Sequence, residues 1–147
     1  MTKNASGSQY RVTQISTSNR IKTISLLYEG AINFLNQSKI KMQEHDYKSK
    51  GIYLSKASRI VSELSNALDP TVNKELTREL ERLYEFINFK ILEANMKNNP
   101  AFIDESIKIL KTIKEGWDKL SEIEENKRKF SDSLDSVNQK GILSLTI

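Results

Sequence analysis

The sequence contains few of the residues that serve most often in metal binding and nucleophilic catalysis. Its 147 residues include no cysteine and a single histidine, His45. The first absence excludes disulfide bonds and thiolate metal sites. A single histidine excludes the di-iron carboxylate centre of helical bundles, because that site needs two Glu-x-x-His motifs. We therefore expect no metal and no cofactor, and we interpret His45, which stands between Glu44 and Asp46, as a solvated surface residue.

Residues that interrupt helices are also few, with five glycines and two prolines. The sequence has no glycine-rich phosphate loop, and no serine has a histidine partner on a core face. Its opening residues are polar and lack the apolar core of a secretory signal, and no run approaches the roughly 18–20 apolar residues that a membrane helix needs. We expect a cytoplasmic, non-catalytic, all-α protein without membrane insertion.

The charge is unevenly distributed along the chain. Residues 1–60 hold ten Lys and Arg against three Asp and Glu, whereas residues 61–147 hold thirteen against sixteen. We interpret this as complementary pairing of helices within one bundle. A nucleic-acid-binding surface would need basic side chains on one face together with stacking aromatics or a groove-reading motif, and the sequence has neither. No nucleic-acid partner is expected.

Four segments carry apolar residues at alternating steps of three and four, the spacing of a helix that packs on neighbours. Asp69-Pro70 and Asn99-Pro100 mark helix boundaries, because proline suits the first turn of a helix and disfavours helix at the residue before it. The short polar breaks predict antiparallel returns. The predicted helices run from the N-cap Asn19 to about His45, from Tyr47 to Leu68, from Thr71 to Asn98, and from Pro100 through Ile123.

We predict an antiparallel four-helix bundle over residues 19–126. Residues 1–18 are polar and are predicted to form a flexible N-terminal arm. Residues 127–147 are predicted to form a C-terminal extension, weakly helical or disordered, with at most a short fifth helix. Gly30 lies inside the first helix, where it indicates the close approach of a neighbouring helix.

The spacing also predicts which side chains form the core. Phe86 and Phe89 lie off the main stripe of the third helix, and we leave open whether they form a secondary core or a groove for a partner. Trp117 falls on the core stripe of the fourth helix. The stripe of the first helix is Ile21, Ile24, Tyr28, Ala31, Leu35, Ser38 and Met42, and that of the third is Leu76, Leu80, Leu83, Ile87, Ile91 and Ala94.

Three sequence strings, taken in order, resemble those of a known protein family. LLYEGAINFL (residues 26–35), LYEFINFKILEAN (83–95) and the tryptophan of KEGWDKL (114–120) resemble the FliS family of flagellar secretion chaperones, as do Tyr10 and Ile15 in the arm. Several positions depart from the family pattern: Asn19-Arg20 stands where members usually have Ser/Thr-Pro, Phe89 replaces a usual Arg, and Gly116 replaces an Ala. The residues that carry the resemblance are Leu27, Tyr28, Gly30, Ala31, Leu35, Leu83, Tyr84, Glu93, Asn95 and Trp117.

The resemblance implies a chaperone that binds the disordered C-terminal segment of flagellin in apolar grooves. It also implies that the chaperone prevents premature polymerisation and delivers flagellin to the flagellar type III export apparatus, whose gate components are then further partners. We expect a monomer or weak homodimer. The alternative from the residues alone is a structural or adaptor bundle that self-associates through its apolar surface. The client-binding residues expected on this basis are Tyr10, Ile15, Phe86, Phe89 and Met96, with Tyr10 and Ile15 acting as an exchangeable lid.

The final segment, GILSLTI (residues 141–147), is apolar and resembles the extreme C-terminus of many flagellins. One hypothesis is that it occupies the chaperone's own groove and competes with the client. The other is that it packs elsewhere on the bundle or is disordered. Under the first hypothesis, deletion of residues 141–147 tightens flagellin binding.

Overall fold

The computed structural model describes the backbone of residues 5–145 and the side chains of residues 19–139. Within these limits the chain contains helices and no strand, so the predicted all-α class is confirmed. Residues 23–115 form one compact unit, the bundle unit, and the described residues before and after it form a second, the terminal unit. The helices are α1, Ala5–Gln43; α2, Tyr47–Asn66; α3, Lys74–Lys97; and α4, Pro100–Leu145.

Side-chain pairs in the bundle unit show that consecutive helices are antiparallel. Lys50 near the start of α2 binds the end of α3 at Asn95, whereas Ser58, further along α2, binds Asn88, which is earlier in α3. The same reversal holds between α1 and α2, because Phe34 stacks on Tyr53 whereas the earlier Gly30 lies opposite the later Ile60.

Helices α3 and α4 also run in opposite directions. Lys97 near the end of α3 lies over the Phe102 ring, whereas the earlier Lys90 reaches the later Glu105. The four helical segments of this unit therefore pack as an antiparallel bundle.

Local polar side chains fix most helix ends. The Asp46 carboxylate accepts from the Ser49 N–H at 3.1 Å and caps α2, while His45, at φ 58°, makes the preceding left-handed turn. His45 is exposed, as predicted. Asn98, at φ 49°, ends α3, and Asn99 Oδ1 accepts from the Ala101 N–H at 3.0 Å at the start of α4. Asparagine tolerates the left-handed conformation better than most residues, which suits Asn98 to the two-residue corner between α3 and α4.

Two helix starts differ from the prediction. Helix α1 begins at Ala5, so Asn19 lies inside it and is not an N-cap. Helix α3 begins at Lys74 rather than near Thr71. The Asp69 carboxylate accepts from the Thr71 N–H at 2.9 Å, which forms a turn around Pro70, and Asn73 then caps the helix by accepting from Leu76.

The end of α4 also differs from the prediction. The helix continues without interruption to Leu145, so the described chain has no separate fifth helix. No proline or glycine falls between residues 117 and 140, and ion pairs at helical spacing support this part. The Glu124–Lys127 and Glu125–Lys129 pairs both measure 3.9 Å.

The core of the bundle unit is apolar and drawn from all four helices. Its buried pair of aromatics, Tyr28 on α1 and Tyr84 on α3, is joined by a hydrogen bond between the two hydroxyls. Burial and this hydrogen bond raise the pKa of the Tyr84 hydroxyl above its ordinary value of 10, so it stays protonated. The other fully or nearly fully buried apolar residues are Ala31, Leu35, Leu54, Ala57, Val61, Leu64, Ile87, Ile91, Ala94, Ile103 and Leu110.

The predicted core stripe of α3 is wrong at two positions. Leu76 and Leu83 are exposed, and Thr77 and Tyr84 are buried in their place. The shift by one residue brings the Tyr84 hydroxyl to its partner Tyr28. From Ile87 onward the prediction holds.

The terminal unit is less buried than the bundle unit. Ile21 is buried and Trp117 is half-buried, which is less than the core position predicted for the tryptophan. Several large apolar side chains on α4 are open to solvent. They are Leu120, Ile123, Phe130, Leu134 and Val137.

Gly30 provides a test of helix–helix distance. A Cβ built there would lie 3.5 Å from Ile60 Cδ1 on α2, which confirms the neighbouring helix but is an ordinary van der Waals distance. We expect Gly30→Ala to raise the free energy of unfolding by about 0.5–1 kcal/mol, because alanine restricts the unfolded chain and favours the helix. Urea denaturation measures this. Gly116→Ala is the matched control, since a Cβ there meets nothing within 4 Å. Stabilisation by the control alone would show that α1 and α2 are packed too tightly for a methyl group.

Candidate functional site

The second half of α3 exposes a cluster of apolar side chains. Phe86, Phe89, Leu92 and Met96 are between 42% and 66% exposed, and we call them the outer α3 face. Spacings of three and seven place Phe86, Phe89 and Met96 along one line of the helix, with Leu92 beside it. The structure therefore brings together the three α3 residues that the sequence analysis assigned to the client. Leu92 was missed as a site residue, although it belongs to the same apolar run.

A cationic edge borders this face on the side of α4. The Lys90 ammonium lies 5.2 Å from the centroid of the Phe86 ring and 4.9 Å from that of Phe102, and the Lys97 ammonium lies 5.4 Å from the Phe102 centroid. Such distances give cation–π attraction. The half-buried Phe102 ring thus holds two lysines in place beside Phe86. No sequence pattern pointed to this cluster.

Glu93 completes the cationic edge. Its carboxylate lies 3.0 Å from the Lys97 ammonium and 3.5 Å from that of Lys90, which also lies 3.6 Å from Glu105 on α4. The hydrogen bond from Lys97 and the positive charges of both lysines lower the pKa of Glu93 below its ordinary value of 4.5. The network connects α3 to α4 and restricts the lysines that flank the outer α3 face.

This lowered pKa gives a testable pH dependence. A carboxyl group whose pKa is lower in the folded state stabilises the fold above its unfolded pKa, and that stabilisation is lost as the pH falls through the folded value. We expect Glu93→Gln to lower the free energy of unfolding at neutral pH. Its deficit relative to wild type should shrink as the pH falls below about 4.5. Urea titrations across pH measure this, with Glu85→Gln, an exposed change on the same helix, as the control. A deficit that persists in acid would contradict the charge argument.

The α2 side of the outer α3 face is lined by small residues. Gly51, Ser55, Ser58 and Ser62 follow one another at steps of four and three, which places them on one face of α2. Ser58 Oγ donates to Asn88 Oδ1 at 2.9 Å, and Asn88 Nδ2 donates to Ser62 Oγ at 3.3 Å.

The line of α3 that faces α2 includes Leu92. It runs through Asn88 and Asn95, which both contact α2, and Leu92 falls between them at helical spacing. Leu92 and the neighbouring Phe89 are exposed beside this row of small α2 residues. We call the strip formed by the small α2 residues and the outer α3 face the trough.

Lys50 anchors one end of this trough. Its side chain is buried, and its ammonium donates to the Asn95 carbonyl at 3.0 Å and to the Asn98 amide oxygen. The last carbonyls of a helix have no partner within the helix and carry partial negative charge, so a lysine is well suited to bind them. The sequence analysis missed Lys50, because its partner lies on another helix.

The remaining sequence-derived residues form the scaffold. Tyr28, Ala31, Leu35 and Tyr84 are buried, and Leu27, Gly30 and Glu93 are half-buried. The side chains of Tyr10, Ile15 and residues 141–147 lie outside the described residues, so the predictions about them stay predictions. No helix in the described part of the chain has the length and apolar character required to cross a bilayer. Among the described residues, no three His, Asp or Glu side chains are arranged to hold a metal ion.

Known proteins share this architecture and sequence. Residues 2–124 match the family model described as Flagellar protein FliS. Flagellar secretion chaperone FliSB of Pseudomonas aeruginosa is 36% identical over 108 residues, which cover 74% of this chain and 86% of that protein. Flagellar secretion chaperone FliS of Vibrio cholerae is 35% identical over 107 residues, which cover 73% and 79%.

A solved structure shares the fold. It is described as "Crystal structure of flagellar chaperone from bacteria" and superposes with a TM-score of 0.69 at 26% sequence identity, covering 79% of this chain and 96% of that one. The fold and these matches together define a helical-bundle chaperone of flagellar secretion. The chain belongs to the FliS family.

Proposed function

We propose that this chaperone binds the disordered C-terminal segment of flagellin in the cytoplasm, without catalysis, and delivers it to the flagellar export gate. The segment would form a short amphipathic helix in the trough between α2 and α3, with its apolar residues against the outer α3 face. Binding in this way would hide the flagellin surface that otherwise polymerises. By the same proposal, Tyr10 and Ile15 act as a lid that the client displaces.

The exposure of the outer α3 face is the observation that carries this proposal. Four large apolar side chains stand in the open beside a floor of small residues, and α3 itself is held by Lys50 at one end and by the Glu93 network along its length. Burial of apolar area stabilises a complex by about 25 cal/mol per Å² before ordering costs. A preformed apolar groove is the surface that an amphipathic helix recognises.

Isothermal titration calorimetry of the full chain with a flagellin C-terminal segment tests the proposal. We expect one segment per chain and a negative heat-capacity change, because apolar surface is buried and the segment folds on binding. Circular dichroism of the mixture should show more helix than the sum of the components. Absence of binding, or binding without gain of helix, would refute the proposed mode.

The alternative is a structural or adaptor bundle that self-associates through its apolar surface. Light scattering separates the two, because a chaperone forms a complex with one client segment per chain whatever its own oligomeric state. An adaptor would form oligomers and ignore the segment. Oligomers that form through the outer α3 face would favour the adaptor, since the same side chains would then be unavailable to a client.

A further inference from the structure

The exposed apolar residues of the terminal unit follow a seven-residue repeat on α4. Leu120, Lys127 and Leu134 recur at one position of the heptad, and Ile123, Phe130 and Val137 recur three residues later. The five apolar members are between 40% and 66% exposed. We call these six residues the α4 seam. Alternation of three and four along a straight helix is the pattern that pairs two helices in a coiled coil.

Most of the seam lies outside the region shared with the family. The family model matches residues 2–124, so Lys127, Phe130, Leu134 and Val137 come after it. Helix α4 nevertheless continues through them to Leu145. The structure thus adds an amphipathic length of helix to the chaperone, and the common family machinery does not account for its apolar side.

The charges that flank the seam are complementary for a parallel pair of identical helices. In a parallel coiled coil, a flanking residue of one helix meets the flanking residue five positions later on the other. Lys119 then faces Glu124 of the second copy, and the two corresponding pairs further along are uncharged, Asn126 with Ser131 and Ser133 with Asn138. No like charges meet along the flanks.

Lys127 is compatible with this arrangement. Its ammonium lies 3.9 Å from the Glu124 carboxylate of the same helix, which draws the charge towards the edge of the seam. A lysine at one such core position is tolerated in coiled coils, where it selects the register and oligomeric state at a cost in stability. The sequence places Gly141 and Ser144 at the next two seam positions, so the apolar repeat ends after Val137.

We propose that the α4 seam is a homodimerisation surface, on which a second copy of this chain packs its own α4 in parallel and in register. The apolar repeat is shorter than the roughly three heptads typical of a stable coiled coil, so the dimer is weak and forms as concentration rises. This proposal is independent of client binding, because the seam shares no residue with the outer α3 face.

Sedimentation velocity of the full chain over a wide concentration range tests the seam. We expect a monomer–dimer equilibrium in wild type. The double variant Phe130→Glu with Leu134→Glu should raise the dimer dissociation constant at least about tenfold, because it places charge at two apolar positions. The control, Ser136→Glu with Gln139→Glu, adds the same charge on the outward side of the same turns and should leave the constant unchanged.

A disulfide test reports the orientation, which the absence of cysteine makes simple. In a parallel in-register pair the two copies of Val137 are adjacent, so Val137→Cys should link the dimer under mild oxidation. Ser136→Cys, which points away from the partner, should not. Equal linkage of both variants, or none in either, would overturn the parallel arrangement.

The remaining outcomes are decisive for the seam itself. A wild-type chain that stays monomeric at every concentration overturns the proposal, and so does a dimer that both double variants weaken equally. If wild type stays monomeric and the seam variant no longer binds the flagellin segment, then the client, and not a second copy of the chain, covers the α4 seam. Retained affinity for the segment in a seam variant that no longer dimerises supports the proposal.

Discussion

Phe89→Asp is expected to abolish most of the affinity for the flagellin C-terminal segment. Phe89 stands at the centre of the outer α3 face and is exposed in the free protein, so a client that covers it gains a buried aromatic anchor. Removal of such an anchor typically costs about 2 kcal/mol or more, which corresponds to a dissociation constant raised about 30-fold. A carboxylate at this position adds a desolvation penalty on binding. Calorimetry with the segment measures the change.

Val72→Asp is the matched control for this variant. Val72 lies in the turn between α2 and α3 and is 82% exposed, so the control adds the same charge to an exposed apolar residue far along the chain from the outer α3 face. Its affinity for the segment should equal that of wild type. Both variants should unfold at the wild-type urea concentration, because neither side chain is buried. Equal losses of affinity in the two variants would show that net charge causes the effect and would contradict binding of the client in the trough.

Tyr84→Ala should cause the largest loss of stability of any change discussed. Tyr84 is 2% exposed, and the change removes a large aromatic side chain from the core and also deletes the hydrogen bond to Tyr28. Large-to-small changes of this kind cost about 3–5 kcal/mol. We expect the urea midpoint to fall accordingly, with circular dichroism as the readout. The variant should also bind the flagellin segment less well at temperatures where part of it is unfolded.

The preceding residue supplies a sharp control for the register of α3. Leu83 is 38% exposed, so Leu83→Ala leaves no internal cavity and should cost less than half as much as Tyr84→Ala. The periodicity of the sequence alone predicts the opposite order, because it places Leu83 on the core stripe. A larger loss for Leu83→Ala would mean that the α3 face is turned as the sequence stripe predicts.

This difference illustrates what the sequence could specify. The stripes of α1 and of the later part of α3 were predicted correctly, because polar residues separate the apolar ones clearly. Around residues 83–92 the apolar residues surround the helix, so spacing cannot select a face. Which face of α3 is buried depends on the Tyr84 hydroxyl, whose hydrogen-bond partner Tyr28 lies 56 residues earlier on another helix. The local sequence pattern around Tyr84 cannot predict a pairing with a residue so distant in the chain.

The candidate site was predictable to the same limited extent. Phe86 and Phe89 were assigned because they lie off the predicted core stripe and Met96 through the resemblance, and the structure exposes all three. Leu92 was missed, because its exposure depends on the small α2 residues opposite it. Lys50 was missed for a related reason, since its burial is explained only by the carbonyl of Asn95 and the side chain of Asn98, which another helix brings to it. The starts of α2 and α4 were predicted correctly, whereas the start of α3 was missed although Asn73 caps it locally.

The burial of the Lys50 ammonium has a practical consequence for chemical footprinting. An amine-reactive reagent reaches this nitrogen only when the start of α2 separates from the end of α3, whereas the exposed lysines react at once. The labelling rate of Lys50 therefore reports how often this corner of the native bundle opens. A ligand seated against Met96 nearby should slow that rate, which gives the unmodified protein its own residue-specific reporter of occupancy.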